Sequence, residues 1–165
     1  MTAAPVRASR GAKALAIVPQ AEADPEADWP VLIQPGEYEM VYLAFEKFEL
    51  AGSRRKWRIR WELVNGPEAG TKLWMYVVRP DEGQRLTVSM KLVELFQVAT
   101  DLRVPPRDLW RLPPASFLAG DCIFIGTVVT VTRNAKQQER RETGHYSIVE
   151  RIVCRAAGAP RRVQR

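Results

Sequence analysis

The chain has 165 residues, 46% of them hydrophobic and 27% charged, a balance that fits one globular domain with flanking tails and excludes a low-complexity or fibrous protein. No apolar run approaches the roughly 18 residues of a membrane span, Leu15 to Val18 is too short for the apolar centre of a signal peptide, and two cysteines make no disulfide framework. A soluble, cytoplasmic protein with no membrane partner is expected.

The net charge of +6 favours a polyanionic partner, and its distribution says more than its size. Residues 51–80 hold seven bases against two acids and residues 121–165 nine against four, whereas residues 30–50 hold one base and four acids.

Residues 1–29 are rich in Ala, Pro and Glu, lack periodicity, and run from basic (Arg7, Arg10, Lys13) to acidic (Glu22, Asp24, Glu26, Asp28), so a disordered arm is expected there. The folded domain is expected over 30–155, with a basic tail over 156–165. The first strand, Glu37 to Leu50, places Tyr38, Met40 and Tyr42 on one face, and its apolar parity shifts near Ala44, which predicts a bulge. A turn at Ala51, Gly52 and Ser53 follows. The next run, SRRKWRIRWELV, alternates: Trp57, Ile59, Trp61 and Leu63 on one face, Lys56, Arg58, Arg60 and Glu62 on the other. Asn65 to Gly70 reads as a hairpin loop with glycine at positive φ. Thr71 to Val78 alternates again, Leu73, Met75 and Val77 against Lys72, Trp74, Tyr76 and Val78.

The period then changes. Leu92, Leu95, Phe96, Ala99 and Leu102 recur at helical spacing, with Thr87 or Ser89 as the cap and Val104-Pro105-Pro106 as the stop. A Pro-rich stretch over 107–120 holds a short turn at Ala115–Ala119, and its Leu109 and Trp110 are candidates for a core plug or a subunit contact. Cys122 to Thr132 is a β-branched strand, Arg133 to Gly144 a polar, basic hairpin loop, and His145 to Arg155 the last strand. The order β-β-β-α-β-β is that of the OB-fold, a mainly β, five-stranded Greek-key barrel; a generic α+β sheet has the same element count.

In an OB-fold, nucleic acid lies across strands 2 and 3, flanked by the loops joining strands 1–2 and 4–5. The first of those loops carries Arg54, Arg55 and Lys56, the second Arg133, Lys136, Arg140 and Arg141, and these coincide with the two basic blocks. If Trp57, Ile59, Trp61 and Leu63 face the core, the opposite face gathers Lys56, Arg58 and Arg60 beside Lys72, Trp74 and Tyr76. Rings among cations suit single-stranded nucleic acid: bases stack on the rings while cations follow the phosphates. The alternative is that Trp74 and Tyr76 pack under a loop or a subunit interface.

Other features are weaker. His145, the single histidine, has no nucleophile partner and reads as an ordinary surface residue. Cys122 and Cys154 are equidistant from the last hairpin's centre, which predicts cross-strand neighbours that pack in the core. Asp81, Glu82 and Asp121 have no diagnostic spacing for Mg²⁺, and no phosphate-loop pattern is present. No catalytic constellation, metal, cofactor or small-molecule substrate is expected.

Three runs, PGEYEMVYLAFEKF, RRKWRIRWELVNGPEAGTKLW and HYSIVERIV, resemble a loose group of phage- and mobile-element-encoded proteins that are similar to single-stranded DNA-binding proteins with an OB-fold. The shared features are Gly-x-Tyr on the first strand, Val-Asn-Gly-Pro closing the second and Gly-x-x-Leu opening the third, and they cover residues 35–80 and 121–155. The resemblance implies single-strand binding through the basic loops and the Arg58, Arg60, Trp74, Tyr76 face. Housekeeping single-strand binders of bacteria end in an acidic tip; this chain ends Arg161-Arg162-Val163-Gln164-Arg165, which is basic. The expected function is non-enzymatic binding of single-stranded DNA (RNA being the other polyanion that suits the same features), by a homo-oligomer, in replication or recombination of a mobile element. The alternatives are an OB-fold adaptor that meets an acidic protein, and a nucleic-acid-processing enzyme.

Overall fold

Segments with a period of two fold as strands and the segment with a helical period folds as a helix. The computed structural model describes residues 31–48, 55–133, 137–140 and 144–158. The expected disordered arm, the turn at Ala51–Ser53 and the tail beyond residue 158 lie outside the described residues. The strands are β1 (Gly36–Phe48), β2 (Lys56–Leu63), β3 (Lys72–Val78), β4 (Ile123–Val131) and β5 (Tyr146–Ala157). Two helices, α1 (Lys91–Thr100) and α2 (Ala115–Leu118), and one 3-10 turn at Leu109–Arg111 lie between β3 and β4. The fold is mainly β: one five-stranded antiparallel sheet in the order β3-β2-β1-β4-β5.

The expected closed barrel is corrected. No ladder joins β3 to β5, so these two strands are the edges of an open sheet. The physical reason lies on the outer edge of β5. There the Ser147 N–H donates to the Val31 carbonyl at 2.7 Å, and the Ile33 N–H donates to the Ser147 hydroxyl at 2.9 Å. The leading segment thus takes the Ser147 N–H, one of the edge groups that barrel closure would leave for β3. At the other end of β5, Arg155 ties the strand to α1: its guanidinium pairs with the Asp101 carboxylate at 2.6 Å and donates to the Val98 and Ala99 carbonyls at 3.4 Å. These are carbonyls of the helix's last turn, which have no partner within the helix and carry the negative end of its dipole.

The core forms where alternation sends apolar side chains. Met40 from β1, Trp57, Ile59, Trp61 and Leu63 from β2, Leu73, Met75 and Val77 from β3, and Phe124, Val128, Val149 and Ile152 from β4 and β5 are all buried. Leu92, Leu95, Phe96 and Ala99 of α1 join them, with Leu109, Phe117 and Leu118. Leu109 is therefore a core plug, held there because Arg79 donates from Nε to the Trp110 carbonyl at 3.0 Å and lies over both Trp57 and Trp110.

Register decides the finer placements. The bulge appears as a register shift between Tyr42 and Ala44, so Phe45, not Ala44, faces the core and meets Trp57 edge-on. Two register shifts in the β4–β5 ladder between the hairpin and Cys154 place Cys154 opposite Ile125, not Cys122. Cys122 is buried and Cys154 exposed, which corrects the expectation that both pack as neighbours. Asn65 to Gly70 has Gly66 and Gly70 at positive φ, as the hairpin requires. The helix is shorter at both ends than its periodicity suggests. Its N-cap is Met90, while the Thr87 and Ser89 hydroxyls bond each other. Asp101 turns left-handed at φ 57° and ends the helix before Leu102, which is exposed instead of joining the buried stripe. Strand β5 runs to Ala157, two residues into the expected tail.

Tyr42 lies against Trp61 edge-on, and burial pushes its phenol from about 10 up to about 12. Between those values the unfolded chain ionises while the folded protein keeps the proton. The stability this group contributes is therefore fully present below pH 10 and is lost as pH rises toward 12. Urea midpoints measured across this range should fall more steeply for the native protein than for Tyr42→Phe; parallel curves would contradict the burial argument.

Candidate nucleic-acid interface

The outer face of the β2–β3 hairpin follows from the same alternation that builds the core. Lys56, Arg58, Arg60 and Glu62 of β2 are half-buried, as are Lys72, Trp74 and Tyr76 of β3. The ladder sets Arg58 opposite Tyr76, Arg60 opposite Trp74 and Glu62 opposite Lys72. Trp57 and Trp61 point the other way into the core, at 3% and 0% exposure.

Trp74 is the centre of this face. The Arg58 guanidinium carbon lies 4.3 Å from its ring centroid and that of Arg60 lies 5.4 Å away. Stacking of this kind contributes ~0.5–1 kcal/mol at exposed sites and holds the cations in a fixed plane. Arg60 has Nε and one terminal nitrogen buried with no hydrogen-bond partner among the described residues. Buried unpaired donors are costly, and an anion reaching them would remove that cost. Arg58 is differently placed. The bulge in β1 turns Glu46 outward, and its carboxylate pairs with Arg58 at 2.6 Å.

The face continues beyond the hairpin. Burial raises the Tyr76 phenol above its ordinary value, the nearby Tyr146 phenol raises it further, and Arg58 opposes both. Tyr146 opens β5, and the Arg140 guanidinium lies over its ring at 5.2 Å. Arg140 is held by its own backbone: its N–H donates to the Thr132 carbonyl at 2.7 Å, and its carbonyl lies 3.2 Å from His145 Nε2. His145 thus closes the hairpin that presents Arg140.

Of the residues expected from sequence, Lys56, Arg58, Arg60, Lys72, Trp74 and Tyr76 share one face, and Arg140 joins it through Tyr146. Arg55 is exposed at the start of β2, and Arg133 is exposed where its bridge with Glu139 narrows the last loop. Arg54, Lys136 and Arg141 lie outside the described residues. Glu46, Tyr146 and His145 escaped the sequence expectation as parts of this face. The parity shift near Ala44 signalled the bulge, but only the register shows that it delivers Glu46 to Arg58.

Among the described residues no three or more of His, Cys, Asp and Glu come together as a metal ion would need, so Asp81, Glu82 and Asp121 form no such group. No helix among the described residues is long and apolar enough to cross a membrane. Comparison with protein-family models, with curated proteins and with solved structures gave no match.

Proposed function

We propose that this protein binds single-stranded DNA with little sequence preference, without catalysis, through the outer face of β2 and β3. The observation that carries this is Trp74 with Arg58 and Arg60 over its ring, in line with Tyr76, Tyr146 and Arg140. Rings spaced among guanidinium groups offer stacking for bases and charge for phosphates at once.

An OB-type scaffold belongs to the same proposal. In its favour are the β-β-β-α-β-β chain order, β1 shared between β2 and β4, and α1 set against β5 and β3 where the sheet stays open. A role in replication or recombination of a phage or mobile element, with copies assembling along the strand, rests on the resemblance of the three sequence runs alone.

A second reading, an adaptor whose cationic face meets an acidic protein, is favoured by the Arg58–Glu46 pair, since that cation already has a carboxylate partner. Titrating intrinsic Trp fluorescence with oligo-dT separates the two. Single-strand binding is expected to quench Trp74 emission saturably at low salt and to weaken steeply with added salt, by a log–log slope of ~0.7 per phosphate contacted. No response to oligo-dT at low salt would rule the proposal out in favour of the adaptor.

A further inference from the structure

Beside the candidate interface, where β3 leaves the sheet and the chain turns toward α1, lies a half-open cleft of about 350 Å³. Tyr76, Val78, Pro80 and Met90 line it, and Lys56 and Lys91 border it. Its volume sits at the small end of ligand pockets, which run from ~300 to ~1,000 Å³. That is room for one base with its sugar and phosphate, not for a run of them.

The polar groups of the cleft divide cleanly. The Gln84 side-chain carbonyl accepts from the Asp81 N–H at 2.9 Å, and the Ser89 hydroxyl bonds that of Thr87 at 3.0 Å, so both serve the local turn. Lys56 and Lys91 have no ion-pair or hydrogen-bond partner among the described residues. The cleft therefore offers an apolar and aromatic wall to a flat ring and two unpaired cations to an anion. It is continuous with the β2–β3 face, because Tyr76 and Lys56 belong to both.

We infer that this cleft is a subsite for one nucleotide of the bound strand, the base lying against Tyr76 and Met90 and the phosphate lying between Lys56 and Lys91. The strand then runs from Arg140 and Tyr146 across Tyr76 and leaves the sheet toward the start of α1. Lys91 and Met90, in a segment that sequence assigned only to a helix start, become binding residues. This assignment rests on the single-strand reading above.

The test separates the two. Lys91 is exposed on the first turn of α1, so Lys91→Gln is expected to fold as the native chain does. Affinities for an oligo-dT series of about 4 to 16 nucleotides, the span of site sizes for such domains, are measured against salt for both proteins. The native chain should tighten as the strand grows long enough to enter the cleft. Lys91→Gln should lose about threefold to tenfold of affinity for those longer strands and ~0.7 of salt slope, with no change for the shortest that bind. In the native protein, oligo-dT carrying 5-iodo-deoxyuridine should photocrosslink to the tryptic peptide Leu86–Lys91, which holds Met90, as well as to Leu73–Arg85, which holds Trp74 and Tyr76. If the native chain binds oligo-dT but Lys91→Gln keeps its affinity and slope at every length, or no crosslink falls in Leu86–Lys91, the cleft assignment is overturned while single-strand binding stands. If the native chain binds no oligo-dT at all, single-strand binding and the subsite fall together.

Discussion

Trp74→Ala is expected to weaken binding to oligo-dT by about 10- to 100-fold, the equivalent of ~1–3 kcal/mol for one stacked base. The change should leave the salt slope nearly intact, because the indole carries no charge. Arg58→Ala combined with Arg60→Ala should act in the complementary way. It should weaken binding to all sequences alike and flatten the slope by about 1.4, the share of two phosphate contacts on a single strand. Thermal stability should move little in either case, since Trp74 and both arginines lie outside the buried core. Equilibrium titrations at three or more salt concentrations read affinity and slope together. Oligo-dT binding that survives both variants would place the site elsewhere on the chain.

The Arg58–Glu46 pair gives this set a variant of opposite sign. The Glu46 carboxylate holds Arg58 at 2.6 Å, with half of the Glu46 side chain exposed. A phosphate approaching Arg58 must compete with that carboxylate. Glu46→Gln removes the competitor and keeps the shape, so it should tighten binding. The gain is bounded by the worth of an exposed ion pair, up to ~1 kcal/mol or about fivefold. An adaptor that meets an acidic protein would share that gain, but only a single-strand binder would combine it with the loss in Trp74→Ala on oligo-dT.

Much of the hairpin was legible because alternation is a strong local signal. In SRRKWRIRWELV every second residue goes to the core, and no register is needed to sort Trp57 and Trp61 from Arg58 and Arg60. The same rule placed Trp74 and Tyr76 on the outer face. What stayed illegible depended on pairing at long range. One inserted residue in β1 decides that Phe45 packs under Trp57 and that Glu46 meets Arg58, and two register shifts between the last hairpin and Cys154 set it opposite Ile125. Helix ends were illegible for a different reason. Apolar spacing reaches Leu102, but a left-handed Asp101 ends the helix, and Arg155, distant in sequence, secures that end. The open seam between β3 and β5 likewise turns on Val31 and Ile33, whose hydrogen bonds to Ser147 nothing in their own sequence announces.

Trp61 supplies the largest expected effect on folding, and the size of the effect differs between its two replacements in an informative way. Its ring is fully buried and meets Tyr42 at 6.2 Å and Phe124 at 5.5 Å, both edge-on, so it links β2 to β1 and β4 at the centre of the sheet. Trp61→Ala opens a cavity there and strips both aromatic contacts, at a cost of ~3–5 kcal/mol. Against a total stability of ~5–15 kcal/mol, that is enough to bring the chain close to unfolding. Yet the Trp61 indole N–H is buried with no hydrogen-bond partner among the described residues. An unpaired buried donor costs ~1–3 kcal/mol, and Trp61→Phe removes it while keeping a ring between Tyr42 and Phe124. The smaller cavity and the lost donor then largely offset each other, and Trp61→Phe should lie within ~1 kcal/mol of the native protein. Urea unfolding followed by circular dichroism measures both. Equal losses for Ala and Phe would mean that the indole nitrogen has a partner in solution, and that the inward tryptophan is held by a polar contact as well as by packing.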